Sequence, residues 1–176
     1  MNIRITFLLS ALLAAGFMTG CSTAKPEAMV PPAFTLANKY AASVSLSAPH
    51  GKDADAKWTS QIQGSAFVEA LYLSLEKAGL FATVLKAPDA DYLLQVSFVK
   101  GDEPAFGFNM TVDLVTRWVL IKKSVTEPVF QGNVSTTYTA KLGDAFAGGD
   151  RLRIANEGAA KENIKEGLRR LSQLNL

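Results

Sequence analysis

The sequence has few of the residues on which enzyme chemistry most often depends. Its 176 residues include 1 Cys and 1 His, which excludes an internal disulfide framework and a Cys-rich zinc site. The 18 basic and 16 acidic residues nearly cancel, and a net charge of +2 is too weak a field to indicate a nucleic-acid-binding protein. We therefore expect no cofactor, no metal and no nucleic-acid partner.

Charged residues are also scarce, whereas apolar residues are plentiful. The chain is 19% charged and 48% hydrophobic, a balance that argues against intrinsic disorder. Its length suits one domain with a short appendage, and no internal repeat is visible at any fixed period. The composition therefore predicts a single folded domain.

The first 20 residues differ from the rest of the chain. Arg4 gives a positively charged start, and an apolar run of about 13 residues follows from Ile5 to Phe17. A helix needs roughly 20 apolar residues to cross a bilayer, so this run has the length of a signal-peptide core. We predict that residues 1–20 form a cleaved signal peptide and that the protein is exported.

The four residues Met18-Thr19-Gly20-Cys21 resemble the bacterial lipobox. In that motif the cysteine is diacylated on sulfur, the leader is removed, and the new amino group is acylated. The resemblance implies that acyl chains such as palmitate on Cys21 anchor the protein to a membrane, since two or more chains hold durably at about 0.8 kcal/mol per buried methylene. The alternative is an ordinary cleavable leader with a free thiol, which would invite intermolecular pairing in an oxidising compartment.

Ser22 bears on which membrane holds the anchor. Inner-membrane lipoproteins of enteric-type bacteria usually carry Asp at this position. The resemblance therefore implies the outer membrane, with the protein facing the periplasm.

The segment after the cysteine has no sustained hydrophobic periodicity. It contains Pro26, Pro31 and Pro32 among small residues. This composition predicts a flexible tether over residues 21–40, followed by a single periplasmic domain over residues 41–176. In the alternative reading, Phe34, Leu36 and Tyr40 pack on that domain.

The clearest predicted elements are one strand and one helix. Alternation from Ala42 to Ala48 predicts a half-buried strand. Ser60 to Gln63 match a capping box, and the helix that follows places Phe67, Leu71 and Leu75 on one stripe. Gly79 is positioned for a left-handed C-cap.

The remaining chain predicts four further strands and a final helix. The strand-like runs are Phe81–Leu85, Asp91–Lys100, Phe108–Ile121 and Val129–Lys141. In the last helix Asp150 is the expected N-cap, and the expected buried stripe is Ala160, Ile164, Leu168, Leu171 and Leu174.

The order β-α-β-β-β-β-α predicts an α+β fold. Because each helix has an apolar face to cover, we expect two helices packed on one mainly antiparallel sheet of about five strands. If the first two strands are neighbours, the helix between them makes a crossover and they run parallel.

Two further segments carry a resemblance to a known family. They are the helix end Leu75-Glu-Lys-Ala-Gly-Leu-Phe81 and the strand Ala90-Asp-Tyr-Leu-Leu94. With the lipobox, the tether and the C-terminal helix, they look like small periplasmic lipoproteins such as the auxiliary lipoproteins of ABC-type lipid transport and the related LpoB and TolB amino-terminal modules. The resemblance implies a protein that acts by binding partners in the cell envelope.

The sequence offers little evidence for catalytic residues. His50 follows a proline in a loop and has no second His as a partner. The acidic pairs Asp53/Asp55, Asp89/Asp91 and Asp102/Glu103 lie in predicted turns, where Asp is favoured for its side-chain bonds to nearby backbone. Turn chemistry is therefore a better explanation than acid–base work or cation binding.

The candidate binding residues lie around the glycine-rich loop Gly143–Gly149. Phe146, in its middle, either packs onto the core or is displayed as a binding anchor. Arg151 and Arg153 begin a mildly basic helix, which is either a solvated face or attractive to anionic phospholipid, lipopolysaccharide or peptidoglycan. We take Phe146, Arg151 and Arg153 as candidate partner-binding residues.

Three functional hypotheses follow. The first is an outer-membrane lipoprotein that is not an enzyme and serves as an accessory or interaction module in envelope maintenance or lipid transport. Its partners would be the membrane, through Cys21, and an envelope protein, peptidoglycan or lipid. The second is a module that binds a small apolar ligand between sheet and helices. The third, a hydrolase or transferase, is disfavoured because no nucleophile, base and orienting group can be named.

Overall fold

A computed structural model of the chain describes residues 23–47, 56–125 and 127–176. The predicted signal peptide, Cys21, His50 and the pair Asp53/Asp55 lie outside the described residues.

The architecture is α+β, as predicted, with the predicted order of elements. The strands are β1 Tyr40–Leu46, β2 Phe81–Leu85, β3 Tyr92–Asp102, β4 Met110–Lys122 and β5 Pro128–Ala140. The helices are α1 Gly64–Ala78 and α2 Gly148–Leu171, and a short 3₁₀ helix, Pro26–Met29, precedes β1.

One mixed sheet joins all five strands in the order β2-β1-β3-β4-β5. β1 runs parallel to both of its neighbours, with Val44 opposite Val84 on one side and opposite Tyr92 on the other. The long ladders between β3, β4 and β5 are antiparallel. The parallel pairing of β1 with β2 confirms that α1 is the crossover between them.

Both helices cover the same face of this sheet. Along β4 the side chains alternate, so that Val112, Leu114 and Trp118 are buried while Asp113 and Arg117 are exposed on the other face. α1 packs along β2, and α2 packs along β4 and β5. A single apolar core lies between the helices and the sheet.

The start of α1 differs from the prediction, whereas its buried face and its end agree. Gln63 is the N-cap and makes no side-chain capping bond, so the capping box is wrong. Ser60 is engaged elsewhere: its backbone N–H donates to Glu103 Oε2 at 2.7 Å. Phe67, Leu71 and Leu75 are buried, and Gly79 has φ 60° and donates its N–H to Leu75 O, as the C-cap prediction requires.

The start of α2 also differs from the prediction. Ala147 is the N-cap, and Asp150 lies in the first turn, where a negative charge suits the positive end of the helix dipole. Of the expected buried stripe, Ala160, Ile164, Leu168 and Leu171 are buried, whereas Leu174 lies beyond the helix and is half-buried.

Residues 24–40, which the sequence assigned to a flexible tether, pack on the domain. Met29 is fully buried, and the 3₁₀ helix that it ends contacts both α1 and α2. The Ala24 N–H donates to Gln61 O at 2.9 Å, and the Tyr40 hydroxyl donates to Leu171 O at 2.8 Å. Apolar burial and these bonds offset the entropy lost on ordering the segment, which is why it does not behave as the predicted tether.

Candidate functional site

Two loops meet at one end of the sheet. β3 ends and β4 begins there, and β5 ends there before the chain enters α2. We call this the β3–β4 end, and we call the opposite end, where β4 passes into β5, the β4–β5 end. The pairing of Met110 with Ala140 brings loop 103–109 beside loop 141–147.

These loops display three phenylalanines to solvent. Phe106 is 87% exposed, Phe108 is 79% exposed and Phe146 is 100% exposed. We call these three residues the phenylalanine surface. A folded protein rarely displays several large aromatic side chains together unless they contact something, so this surface is the strongest candidate for a binding site.

Arg151 joins the two loops from beneath this surface. This residue is only 6% exposed. Nη1 donates to Ala145 O at 2.8 Å and to Phe146 O at 2.6 Å, while Nη2 donates to Gly107 O at 3.2 Å. Because one rigid guanidinium holds carbonyls of both loops, the backbone of Phe146 is fixed close to that of Phe106 and Phe108.

Gly107 makes the turn that separates Phe106 from Phe108. Its φ of 153° is one that L side chains rarely adopt, and an added Cβ would lie 3.0 Å from Asn109 O. Beside this turn an open depression of about 360 Å³ is lined by Phe106, Met110, Leu152 and the first residues of α2. The depression faces solvent and continues the apolar character of the phenylalanine surface.

Arg153 has a different internal role from Arg151. Its Nη1 donates to both carboxylate oxygens of Glu157 at 3.0 Å. Glu157 Oε1 also accepts from the backbone N–H of Lys25 at 3.4 Å. This pair therefore ties the beginning of the packed segment 24–40 to α2.

The structure separates the three residues that the sequence singled out. It displays Phe146 and does not pack it onto the core, whereas Arg151 and Arg153 are engaged with other parts of the same domain. Sequence reasoning missed Phe106, and it placed Phe108 in a strand that begins only at Met110. The available signal was the Phe-Gly-Phe sequence at residues 106–108, which begins two residues after Pro104 of the turn pair Glu103-Pro104.

The acidic pairs within the described residues are held by neighbours. Asp89 pairs with Lys123, whose hydrogen bond lowers the pKa of that carboxyl group. Hydrogen bonds from the backbone N–H and the hydroxyl of Ser43 lower the pKa of Asp91. Glu103 accepts from Asn156 Nδ2 at 2.6 Å.

Across residues 23–47, 56–125 and 127–176, no group of three or more His, Cys, Asp or Glu side chains converges as a metal ion would require.

Within the part of the chain that the structure describes, no helix combines the length and apolar character needed to cross a membrane.

Comparison with known proteins shows the fold but no family. No protein-family model matches the chain, and no curated protein matches it in sequence. A protein of Xanthomonas campestris described under the family DUF330 aligns with a TM-score of 0.64 and 13% identity, over 81% of this chain and 89% of that one. A minor lipoprotein from Acinetobacter baumannii aligns with a TM-score of 0.50 and 12% identity, over 74% of this chain and 91% of that one. A hypothetical protein from Chlamydia trachomatis aligns with a TM-score of 0.53 and 7% identity, over 74% of this chain and 95% of that one.

Proposed function

We propose that this protein is a bacterial outer-membrane lipoprotein whose periplasmic domain serves as a non-enzymatic accessory module of the cell envelope. The observation that carries the proposal is the sequence Met18-Thr19-Gly20-Cys21 directly after a positively charged and apolar leader. Acyl chains on Cys21 hold the protein to the membrane. The same fold in a minor lipoprotein of Acinetobacter baumannii supports this class.

Binding, rather than catalysis, is the activity that the domain's surface supports. The phenylalanine surface is an apolar patch held in place by Arg151 beneath it, and such patches are typical of interaction sites. Two buried polar residues of the core are paired within the fold: Thr116 donates to Asn163 Oδ1 at 2.6 Å, and Asn163 Nδ2 donates to Val134 O at 3.0 Å. Both side chains are fully buried, so these bonds stabilise the fold.

The depression beside the phenylalanine surface bears on the alternative of a bound apolar ligand. Its volume of about 360 Å³ is within the range of ligand pockets, but it is open to solvent, whereas such pockets bury most of their ligand. An exposed patch containing Phe146 favours an interaction module over a carrier of small apolar molecules.

Replacing Cys21 tests the anchor. Cys21→Ala removes the sulfur that the acyl chains require, so we expect loss of fatty-acid label from the protein and loss of its lipid-anchored fraction. The measurement is metabolic labelling with a radioactive or clickable fatty acid, followed by separation of the outer membrane from the other fractions.

Two neighbouring variants control this experiment. Ser22→Ala retains the cysteine and should keep both the label and the outer-membrane fraction. Ser22→Asp should keep the label and move the protein to the inner membrane, because Asp at this position is typical of inner-membrane lipoproteins of enteric-type bacteria. Undiminished label on the Cys21→Ala protein would contradict the proposal.

A further inference from the structure

The packed N-terminal segment determines where the membrane anchor leaves the domain. The segment begins at Ala24 and Lys25, which bond to Gln61 and to Glu157 near the β3–β4 end. It then runs between the helices to the β4–β5 end, where the backbone N–H of Ala37 donates to Ser172 Oγ at 3.1 Å. The chain that precedes Ala24 is therefore attached on the side of the domain that carries the phenylalanine surface.

The remaining chain is too short to reach far from this side. Cys21 is three residues before Ala24, and so its backbone lies no more than about 11 Å from Ala24. Glu157, beside which Lys25 docks, is nine residues after Gly148, or about 14 Å along the axis of α2 from its first residue. A cysteine directed toward the β3–β4 end thus reaches about the level of the loops that display the phenylalanines.

We propose that the phenylalanine surface is a membrane-docking face, which inserts Phe106, Phe108 and Phe146 into the bilayer that holds the acyl chains of Cys21. This inference rests on the proposed lipidation of Cys21. Aromatic side chains of proteins that lie on a membrane enter the boundary between headgroups and acyl chains by roughly 5–10 Å. The domain therefore rests on the membrane with its β3–β4 end and directs its β4–β5 end toward the periplasm.

The charges at the β3–β4 end indicate that apolar contact drives this docking. Lys100 pairs with Asp102, and Arg153 pairs with Glu157 at 3.0 Å and with Asp150 at 3.8 Å. Two further positive groups at this end, Lys141 and Arg151, are matched in number by the carboxylates of Glu103 and Asp144, which lie in the two loops. Because attraction to anionic lipid is thus small, docking needs no anionic lipid and is insensitive to salt.

Tryptophan fluorescence in vesicles tests the proposal. The probe variant is Phe146→Trp in the mature, lipidated protein, purified in detergent and reconstituted into vesicles of zwitterionic phosphatidylcholine and phosphatidylethanolamine. Fatty-acid label on the same preparation verifies the anchor. The control Val129→Trp places the same probe at the β4–β5 end, where Val129 is 38% exposed. The native Trp58 and Trp118 are buried, so the unsubstituted protein supplies the background emission.

We expect the tryptophan at position 146 to emit at shorter wavelength than in water and to lose most of its intensity when the lipids carry bromine on their acyl chains. The Val129→Trp probe should show neither effect, and raising the salt concentration should change neither result. Phe106→Trp gives a second probe with the same expected result, because that side chain is also exposed.

Three results would overturn the proposal. A labelled protein whose tryptophans at positions 146 and 106 are not quenched would contradict membrane docking and leave the proposed anchor intact. A protein without fatty-acid label on Cys21 would contradict both the anchor and the docking. A blue shift that grows with protein concentration, without quenching by brominated lipid, would identify a second copy of the chain as the occupant of the surface.

Discussion

The two helices cover neighbouring parts of one sheet with different kinds of side chain. α1 inserts large apolar residues, among them Phe67, Leu71 and Leu75. α2 is buried over more of its length, yet many of its buried residues are small or polar, including Ala155, Asn156, Gly158, Ala159, Asn163 and Gly167. The two interfaces therefore differ in the size of the buried helix side chains. Large side chains of α1 pack against the sheet, whereas the small side chains of α2 leave room for side chains of the strands.

Gly158 and Gly167 show how α2 comes close to the sheet. A Cβ on Gly167 would lie 2.3 Å from the ring of Trp118, and one on Gly158 would lie 2.4 Å from the ring of Tyr138. The rings of Trp118 and Tyr138, which belong to the strands, thus occupy the space that a side chain at Gly167 or Gly158 would need. The close approach also lets Asn163 reach the sheet, where it accepts a hydrogen bond from Thr116, and the Thr116 hydroxyl accepts one from Trp118 Nε1 at 2.8 Å.

The largest expected effect comes from making the α1 interface smaller. Leu71 is 1% exposed, and Leu71→Ala should lower the free energy of unfolding by about 2–5 kcal/mol because it removes buried apolar surface and leaves a cavity. Urea unfolding followed by tryptophan fluorescence measures the loss. Leu73→Ala, at a half-buried position of the same helix, should cost less. Equal losses at the two positions would mean that the buried face of α1 is misassigned.

The next effect comes from the opposite change in α2. Gly167→Ala adds one methyl group against a fully buried Trp118, and we expect a loss of about 1–3 kcal/mol from overpacking even though alanine favours a helix. The same unfolding measurement applies. Gly149→Ala is the matched control, because nothing lies within 4 Å of its added Cβ and it should cause no loss. A Gly167→Ala protein as stable as the native one would show that α2 does not depend on close approach.

The smallest effect concerns the outer face of α2, where Glu166 accepts hydrogen bonds from Arg169 and Arg170. The bonds from Arg169, reinforced by Arg170, lower the pKa of Glu166 from 4.5 to about 2. A carboxylate with a lowered pKa in the folded state stabilises the fold above pH 4.5, and this contribution is lost as the pH falls toward about 2. Solvent screening limits it to at most about 1 kcal/mol.

The variant Glu166→Gln isolates this contribution. We expect it to reduce the dependence of unfolding free energy on pH over that acidic range, as measured by urea unfolding at a series of pH values. Glu162→Gln, whose carboxylate lies 3.5 Å from Lys165 Nζ, should leave most of the dependence in place. If the unfolding free energy of the Glu166→Gln protein depended on pH as strongly as that of the native protein, Glu166 would not be the source of this pH dependence.

Sequence reasoning predicted the elements of this fold more accurately than their ends. The stripe at Phe67, Leu71 and Leu75 and the cap at Gly79 are local patterns that recur at helical spacing, so they can be read from the chain alone. The capping box failed because Ser60 has a stronger acceptor in Glu103, which is distant in sequence. Competition from a distant partner is not visible in a local motif.

The candidate site was predicted only in part, for a similar reason. Phe146 could be recognised because an aromatic residue in a glycine-rich loop is unusual. Phe108 was assigned to a strand because its β propensity is high, but the strand begins two residues later. Arg151 was expected at a basic surface, yet its partners are three carbonyl groups that lie in two loops. Only the folded chain brings those carbonyls together.

The sequence by itself determined the α+β order of elements, the predicted leader and the candidate anchor at Cys21, because hydrophobic periodicity, turn residues and a short motif are properties of neighbouring residues. Tertiary structure decided that the segment after the cysteine packs between the helices, that α2 approaches the sheet through Gly167, and that the phenylalanine surface forms at the β3–β4 end. These outcomes depend on burial and hydrogen bonding between residues far apart in the chain, and local patterns carry no information about such partners.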